Sequence, residues 1–346
     1  MNGVLKNNYN KTSKPYFEVL DPNLNVADWM ESYWDIIKDK TIFDVVLPGT
    51  HDSGSYSCSF EYGLAPFAPS IIKRKCLPRY AKDIAMNWTK TTTLDIIGQL
   101  SEGARYLDLR VCCSVKDNEI RTEHSIYGTK YEDLLYQVFE FILLHTKEFV
   151  ILDFRHFGKI KYNDMSKDDH DRLVSLIQNI IGKYLVQKKE LNEPLQKLFE
   201  KNHRIFAIYH DDDVANKYDF LQPNDSIWNH WTNTQQPLDL IEVLQKFTNE
   251  FEQTEHGQPI FFCLQSCMTP NKTMITNAIK KTYFSKCCKK VKNCPTSLLE
   301  VGVEANTALI KWIEGQTESV TPFNIICFDY IELFRSLVIL IIHQNK

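Results

Sequence analysis

Short apolar, β-branched or aromatic runs recur along this chain with amphipathic stretches between them, and this alternation restricts its fold more than any other feature. The runs cover residues 42–47, 104–112, 149–157, 204–210, 259–267 and 324–331, with a weaker one at 226–231. Helices are predicted between them at 94–102, 170–186, 238–251 and 298–313. Between the second and third runs, Thr129-Lys130-Tyr131-Glu132 has capping-box spacing, and Leu134, Leu135, Val138, Phe141, Ile142 and His145 follow at helical intervals. The apolar run 337–342 falls far short of the ~20 residues that a membrane span needs, so it reads as the buried face of a last helix. Six or seven strand–helix units predict an α/β protein built as a single, irregular (β/α) barrel. The competing architecture is a doubly wound open sheet, but no strand is followed by a Gly-rich phosphate loop of Rossmann or P-loop spacing.

With 346 residues, 43% hydrophobic and 24% charged, the chain can fill one large core, and no Pro/Gly/Ser-rich linker divides it. We expect a polar N-terminal arm at 1–25, a barrel domain at 26–346, and an insertion at 57–88 over the barrel mouth. The N-terminus lacks the apolar stretch of a secretory signal, so a cytoplasmic protein is expected. A net charge of -4 gives no electrostatic case for nucleic acid. Several of the ten cysteines sit in apolar runs and read as reduced, buried thiols rather than a disulfide framework. Cys287, Cys288 and Cys294 lie among lysines without paired C-x-x-C knuckles, so a solvated basic loop is favoured there over zinc.

Polar residues gather where the strands end, which is where barrel enzymes place their chemistry. The first run leaves through Pro48-Gly49-Thr50 into His51-Asp52-Ser53-Gly54, a loop able to aim an imidazole into a cleft. In the second run the two-residue strand period puts Asp108 and Arg110 on one face and Leu107, Leu109 and Val111 on the other. That face could hold an internal ion pair, or an arginine whose planar fork is ready for a phosphate. His124 follows 14 residues after Arg110 and is expected in a strand-to-helix connection. The third run repeats the acid–base pattern as Asp153-Phe154-Arg155, and the last ends in a lone carboxylate, Asp329, which could cap a helix or orient a histidine.

Taken together, the segments 47–54, 103–110, 150–154 and 324–330 resemble the successive motifs of the phospholipase C X-domain-containing family, in the same order and across about 42–330. The pattern is closest to the small stand-alone X-domain proteins and the bacterial phosphatidylinositol-specific enzymes, which resemble a distorted TIM barrel. The resemblance implies that His51 is a general base taking the proton of the inositol 2-hydroxyl. It implies that His124 is the general acid protonating the departing diacylglycerol oxygen. Asp329 would hold the His51 tautomer, Asp52 would support His124, and Arg110 would stabilise the phosphoryl oxygens. Asp108, Arg155, His210 and Trp231 are candidate substrate-binding residues.

Calcium-dependent members have carboxylates where this chain has Arg110 and Arg155. An arginine offers no oxygen ligand, so neither metal nor cofactor is expected. His210 falls near the place of an arginine that helps to bind inositol in the bacterial enzymes, which departs from the pattern. Trp228 and Trp231 could offer a sugar ring an aromatic platform or serve the core. In the insertion, Phe60, Tyr62, Phe67, Ile71 and Ile72 lie beside Lys73, Arg74, Lys75 and Arg79, which suits either an anionic membrane surface or a lid. The expected partner is thus a phosphoinositide lipid met at a membrane surface. Alternatives are a catalytically silent headgroup- or protein-binding module, and a metal-dependent phosphodiesterase on a related barrel.

Overall fold

The computed structural model describes residues 21, 23–69, 72–73, 79–160, 163–283, 294–315 and 323–346. Most of the N-terminal arm, residues 70–71 and 74–78 of the insertion, and the basic segment around Cys287 and Cys288 lie outside the described residues. In chain order the strands are β1 (Leu47–Thr50), β2 (Tyr106–Cys113), β3 (Ile120–Glu123), β4 (Tyr127–Lys130), β5 (Val150–Ile160) and β6 (Asn163–Asp164). They continue as β7 (Ile205–Tyr209), β8 (Leu221–Gln222), β9 (Ile227–His230), β10 (Phe261–Gln265) and β11 (Ile325–Phe328).

Eight of these form a curled parallel sheet in the order β8-β7-β5-β2-β1-β11-β10-β9, a TIM-like barrel. No ladder joins β8 to β9 among the described residues, so the barrel has an open seam. The reason is local. β8 has two residues, and the chain reaches β9 through the short 3-10 turn Asn224–Ser226 instead of a crossover helix. Helices Tyr131–Leu144, Lys167–Ile181, Pro237–Gln253, Leu298–Gly315 and Arg335–His343 cover the outside, each with an apolar face turned to the sheet. One core cluster runs from Leu24 to Ile342.

Three local expectations are corrected. Residues 42–44 form a 3-10 turn closed by reciprocal Thr41 and Asp44 capping bonds, and the strand begins only at Leu47. The Thr129–Glu132 capping box does not form: Lys130 is the N-cap without a side-chain bond, and Thr129 Oγ1 bonds Asp133 instead. A β3–β4 hairpin extends β2 where only a connection was expected. The described cysteines Cys58, Cys112, Cys113, Cys263, Cys267, Cys294 and Cys327 are free thiols.

The bottom of the barrel is held by Arg105 and Glu148, both fully buried, with Arg105 Nε donating to Glu148 Oε2 at 2.7 Å. Arg105 also donates to the carbonyls of Ala27, Leu100 and Ala104, and Glu148 accepts from the Glu31 amide. Glu148→Ala would leave a buried guanidinium unmatched and should lower unfolding stability by roughly 3–5 kcal/mol. Chemical denaturation measures this; a loss under about 1 kcal/mol, the scale of an exposed pair, would contradict it.

Candidate active site

β2 and β5 run parallel and in register, so Asp108 sits opposite Asp153 and Arg110 opposite Arg155 on the inner face of the barrel. Two guanidiniums side by side would repel each other, and the acids between them remove that conflict. Arg155 Nη2 is 2.5 Å from Asp153 Oδ2 and its Nε is 3.4 Å from Asp108 Oδ1, while Arg110 Nη1 is 3.2 Å from Asp52 Oδ2. Burial alone would raise the Asp108 and Asp153 carboxyls, but the neighbouring guanidiniums, joined by His210 at Asp153, outweigh it and hold both below the usual carboxylate range.

His51 leaves the C-terminal end of β1 and is 6% exposed. Its Nδ1 lies 2.8 Å from Asp329 Oδ1, just past β11, and its Nε2 lies 2.7 Å from Arg110 Nη2. The guanidinium can only donate, so Nε2 accepts and the proton sits on Nδ1, facing Asp329. That is the tautomer a general base needs. Asp329 is thus bonded to a histidine and is not the N-cap of the 3-10 turn after it, a position that Tyr330 holds in a left-handed conformation at φ 54°. Gly49 contributes through its missing side chain, because a Cβ there would come within 2.8 Å of the Tyr106 ring. Tyr106, on the same face as Asp108, donates to Asp153 Oδ2 at 2.5 Å and accepts from Asn229 at 3.1 Å.

His124 stands in the tight β3–β4 hairpin, where its amide bonds Ile126 and Ser125 takes a positive φ of 65°. This replaces the strand-to-helix connection expected from the sequence. Its Nδ1 donates to the Thr89 carbonyl at 2.5 Å and lies 3.2 Å from Asp52 Oδ2. Burial, then the Arg110 charge, pull His124 down to about 4, and burial pushes Asp52 up to about 7. An anion placed beside His124 counters its downward shift and favours its imidazolium form, while pushing Asp52 higher still. The ring centroids of His51 and His124 are 6.3 Å apart, with Arg110 reaching between His51 and Asp52.

Asp52 itself has a positive φ of 43°, with its amide bonded to Asp108 Oδ2. Thr91 fixes the loop by donating to the carbonyls of His51 and Asp52. Both Asp52 oxygens, Asp108 Oδ1, Asp153 Oδ1 and the Nε atoms of Arg110 and Arg155 are buried without an aligned hydrogen bond. These groups are paired by charge, and their spare hydrogen-bonding capacity suits the hydroxyls of a polyhydroxyl ligand, with the guanidiniums free to turn to an anion.

His210 follows β7 and places Nε2 2.6 Å from Asp153 Oδ1. Trp231 follows β9 and lies over His51, centroids 4.9 Å apart, with Nε1 bonded to Thr269. Trp228 does not join the site: it stacks on His230 and packs against Phe247 and Phe262. Sequence reasoning missed Thr89 and Thr91, the buried Glu123 that holds His156 at 2.9 Å, and Tyr106. Only Tyr106 carried a signal, as the next residue down on the Asp108 face.

A calcium ion does not fit this donor set. The carboxylates that could hold one, Asp52, Asp108 and Asp153, are each matched by Arg110 or Arg155, and a guanidinium cannot ligate.

No protein-family model matches the chain. PI-PLC X domain-containing protein 3 of Mus musculus is 30% identical over 325 residues, covering 91% of this chain and 93% of that protein. PI-PLC X domain-containing protein 2 of Homo sapiens is 31% identical over 256 residues, covering 73% and 81%. Among solved structures, the phosphatidylinositol-specific phospholipase C of Listeria monocytogenes superposes with a TM-score of 0.60 at 14% identity, over 93% of this chain and 99% of that one. The Staphylococcus aureus enzyme gives 0.61 at 14% identity, over 93% and 98%. At that identity the structures establish a shared fold.

Proposed function

Because the chain belongs to the family of PI-PLC X domain-containing proteins, we propose that it cleaves the phosphodiester of a phosphatidylinositol-type lipid by metal-independent acid–base catalysis. The observation that carries this reading is a pair of histidines held by separate partners, Asp329 and the Thr89 carbonyl with Asp52, on either side of one guanidinium. His51 Nε2 takes the proton of the inositol 2-hydroxyl, whose oxygen then bonds to phosphorus. The bond from phosphorus to the diacylglycerol oxygen breaks, and His124 Nε2 supplies that oxygen with a proton. The products are diacylglycerol and a cyclic inositol phosphate.

Arg110 has two parts in this scheme. Without substrate it occupies the His51 Nε2 lone pair at 2.7 Å. An arriving phosphate draws the guanidinium onto its own oxygens, which exposes the base as charge is neutralised. The same anion favours protonated His124. The ring sits over Arg155, Asp108, Asp153 and His210, with Trp231 beside His51.

We treat residues 26–346 as one barrel unit with the 57–88 insertion at its mouth. Contacts of the insertion with the His124 hairpin and with β5 support this placement: Leu64 bridges to Ile126, and the Phe67 ring lies 6.1 Å from that of His156. Phe67 is 50% exposed and Trp231 39%, which suits contact with a lipid surface. No helix among the described residues is long and apolar enough to cross a membrane, so the contact would be peripheral.

Phosphorus NMR of the products tests the reading: phosphatidylinositol should give a cyclic inositol phosphate. Bound but uncleaved lipid would shift the assignment to a headgroup-binding module. Turnover should also survive EDTA with no more than about a twofold change; reversible loss that calcium restores would refute the metal-independent scheme.

A further inference from the structure

Beside the proposed base lies a thiol that the reaction does not use. Cys267, two residues past β10, brings its Sγ to the side of His51 that Asp329 occupies. His51, Cys267 and Asp329 each offer one ligand atom, all within 4.8 Å of one another, and all three side chains are buried. A tetrahedral ion holds its ligands at comparable separations, so small rotations would close the set. One nitrogen, one thiolate sulfur and one carboxylate oxygen select a borderline-soft ion such as Zn²⁺ or Cd²⁺ over Ca²⁺ or Mg²⁺. The charges also close, since a divalent cation matches one thiolate and one carboxylate.

We propose that His51, Cys267 and Asp329 form an inhibitory site for a thiophilic divalent ion. The deduction of inhibition, unlike that of binding, rests on His51 being the base. Binding releases the Cys267 thiol proton and moves the His51 proton from Nδ1 to Nε2, because the ion takes the Nδ1 lone pair. The Nε2 atom that faces substrate then carries a hydrogen and cannot accept one, and Arg110 must retreat to Asp52, 3.2 Å away. The ion is no part of the reaction; it switches the base to the wrong tautomer.

The test uses the full chain and two readouts. Cd²⁺ titration followed by the ultraviolet thiolate-to-cadmium band should show a component lost in Cys267→Ser and weakened in His51→Ala, which keeps the thiol. Zn²⁺ inhibition, scored against each protein's own metal-free rate, should need about tenfold more ion or greater in Cys267→Ser, since even outer-shell partners are worth that much affinity. A cadmium component unchanged in both variants, or equal zinc sensitivity in Cys267→Ser, overturns the site. Normal cadmium binding by a chain that cleaves no lipid would keep the site and refute the proposed function instead.

Discussion

His51→Ala should lower phosphatidylinositol turnover by roughly 10²–10⁴-fold, the range of a positioned general base, with the lipid still bound. His124→Ala should fall in the same range, and the double variant should lose far less than the product of the two because they serve one displacement. Asp329 gives this result a finer test. Asp329→Asn keeps the size of the partner but can turn an N–H toward His51 Nδ1, which drives the ring proton to Nε2. The base would then be present in the wrong tautomer, and turnover should drop with little change in binding. An Asp329 serving only as a packed carboxylate would affect unfolding stability and leave turnover intact. Steady-state assays on micellar substrate, with unfolding curves for each variant, separate these outcomes.

Arg110→Met should cost roughly 10²–10³-fold in turnover, as does loss of one donor aimed at developing charge. Removing the guanidinium also removes the partner that shields His51 Nε2 and the cation that, after burial, pulls His124 down. The variant should therefore bind phosphate more weakly while its His124 titrates higher. Because His124 acts in its protonated form, the high-pH limb of the rate profile should move upward in Arg110→Met. Arg110→Lys keeps the charge without the two-pronged geometry and should recover only part of the rate. If Arg110→Met changed KM alone and left the pH profile in place, Arg110 would be a binding residue only.

The barrel and half of this site were legible because strand periodicity is a local property. Asp108 with Arg110, and Asp153 with Arg155, fall on one face of an apolar strand whatever surrounds them, and the register between β2 and β5 turned two patterns into one four-membered cluster. His51 and Asp329 were readable as residues leaving strands. The β3–β4 hairpin was not, because Ile120, Arg121, Thr122 and Glu123 are all buried and show no alternation of polar and apolar positions. Its position misplaced His124 by one element without changing its proximity to Asp52. Thr89 acts through its backbone carbonyl, which any residue carries, so no side chain marked it. The open seam beside β8 was hidden for a similar reason, since a two-residue strand has no period. His210 was read from the sequence near the place of an arginine in the bacterial enzymes, and its contact with Asp153 makes the network of charged contacts continuous from His51 to His210.

The central claim is that His51 and His124 divide the two proton transfers between them, and substrate chemistry can separate those roles. An inositol phosphodiester with an activated aryl leaving group needs a base but no acid. On that substrate His124→Ala should return to within about tenfold of the unmodified protein, while His51→Ala should remain roughly 10²-fold or more below it. Equal deficits for both variants on lipid and aryl substrates, or rescue of His51→Ala instead, would contradict the assignment.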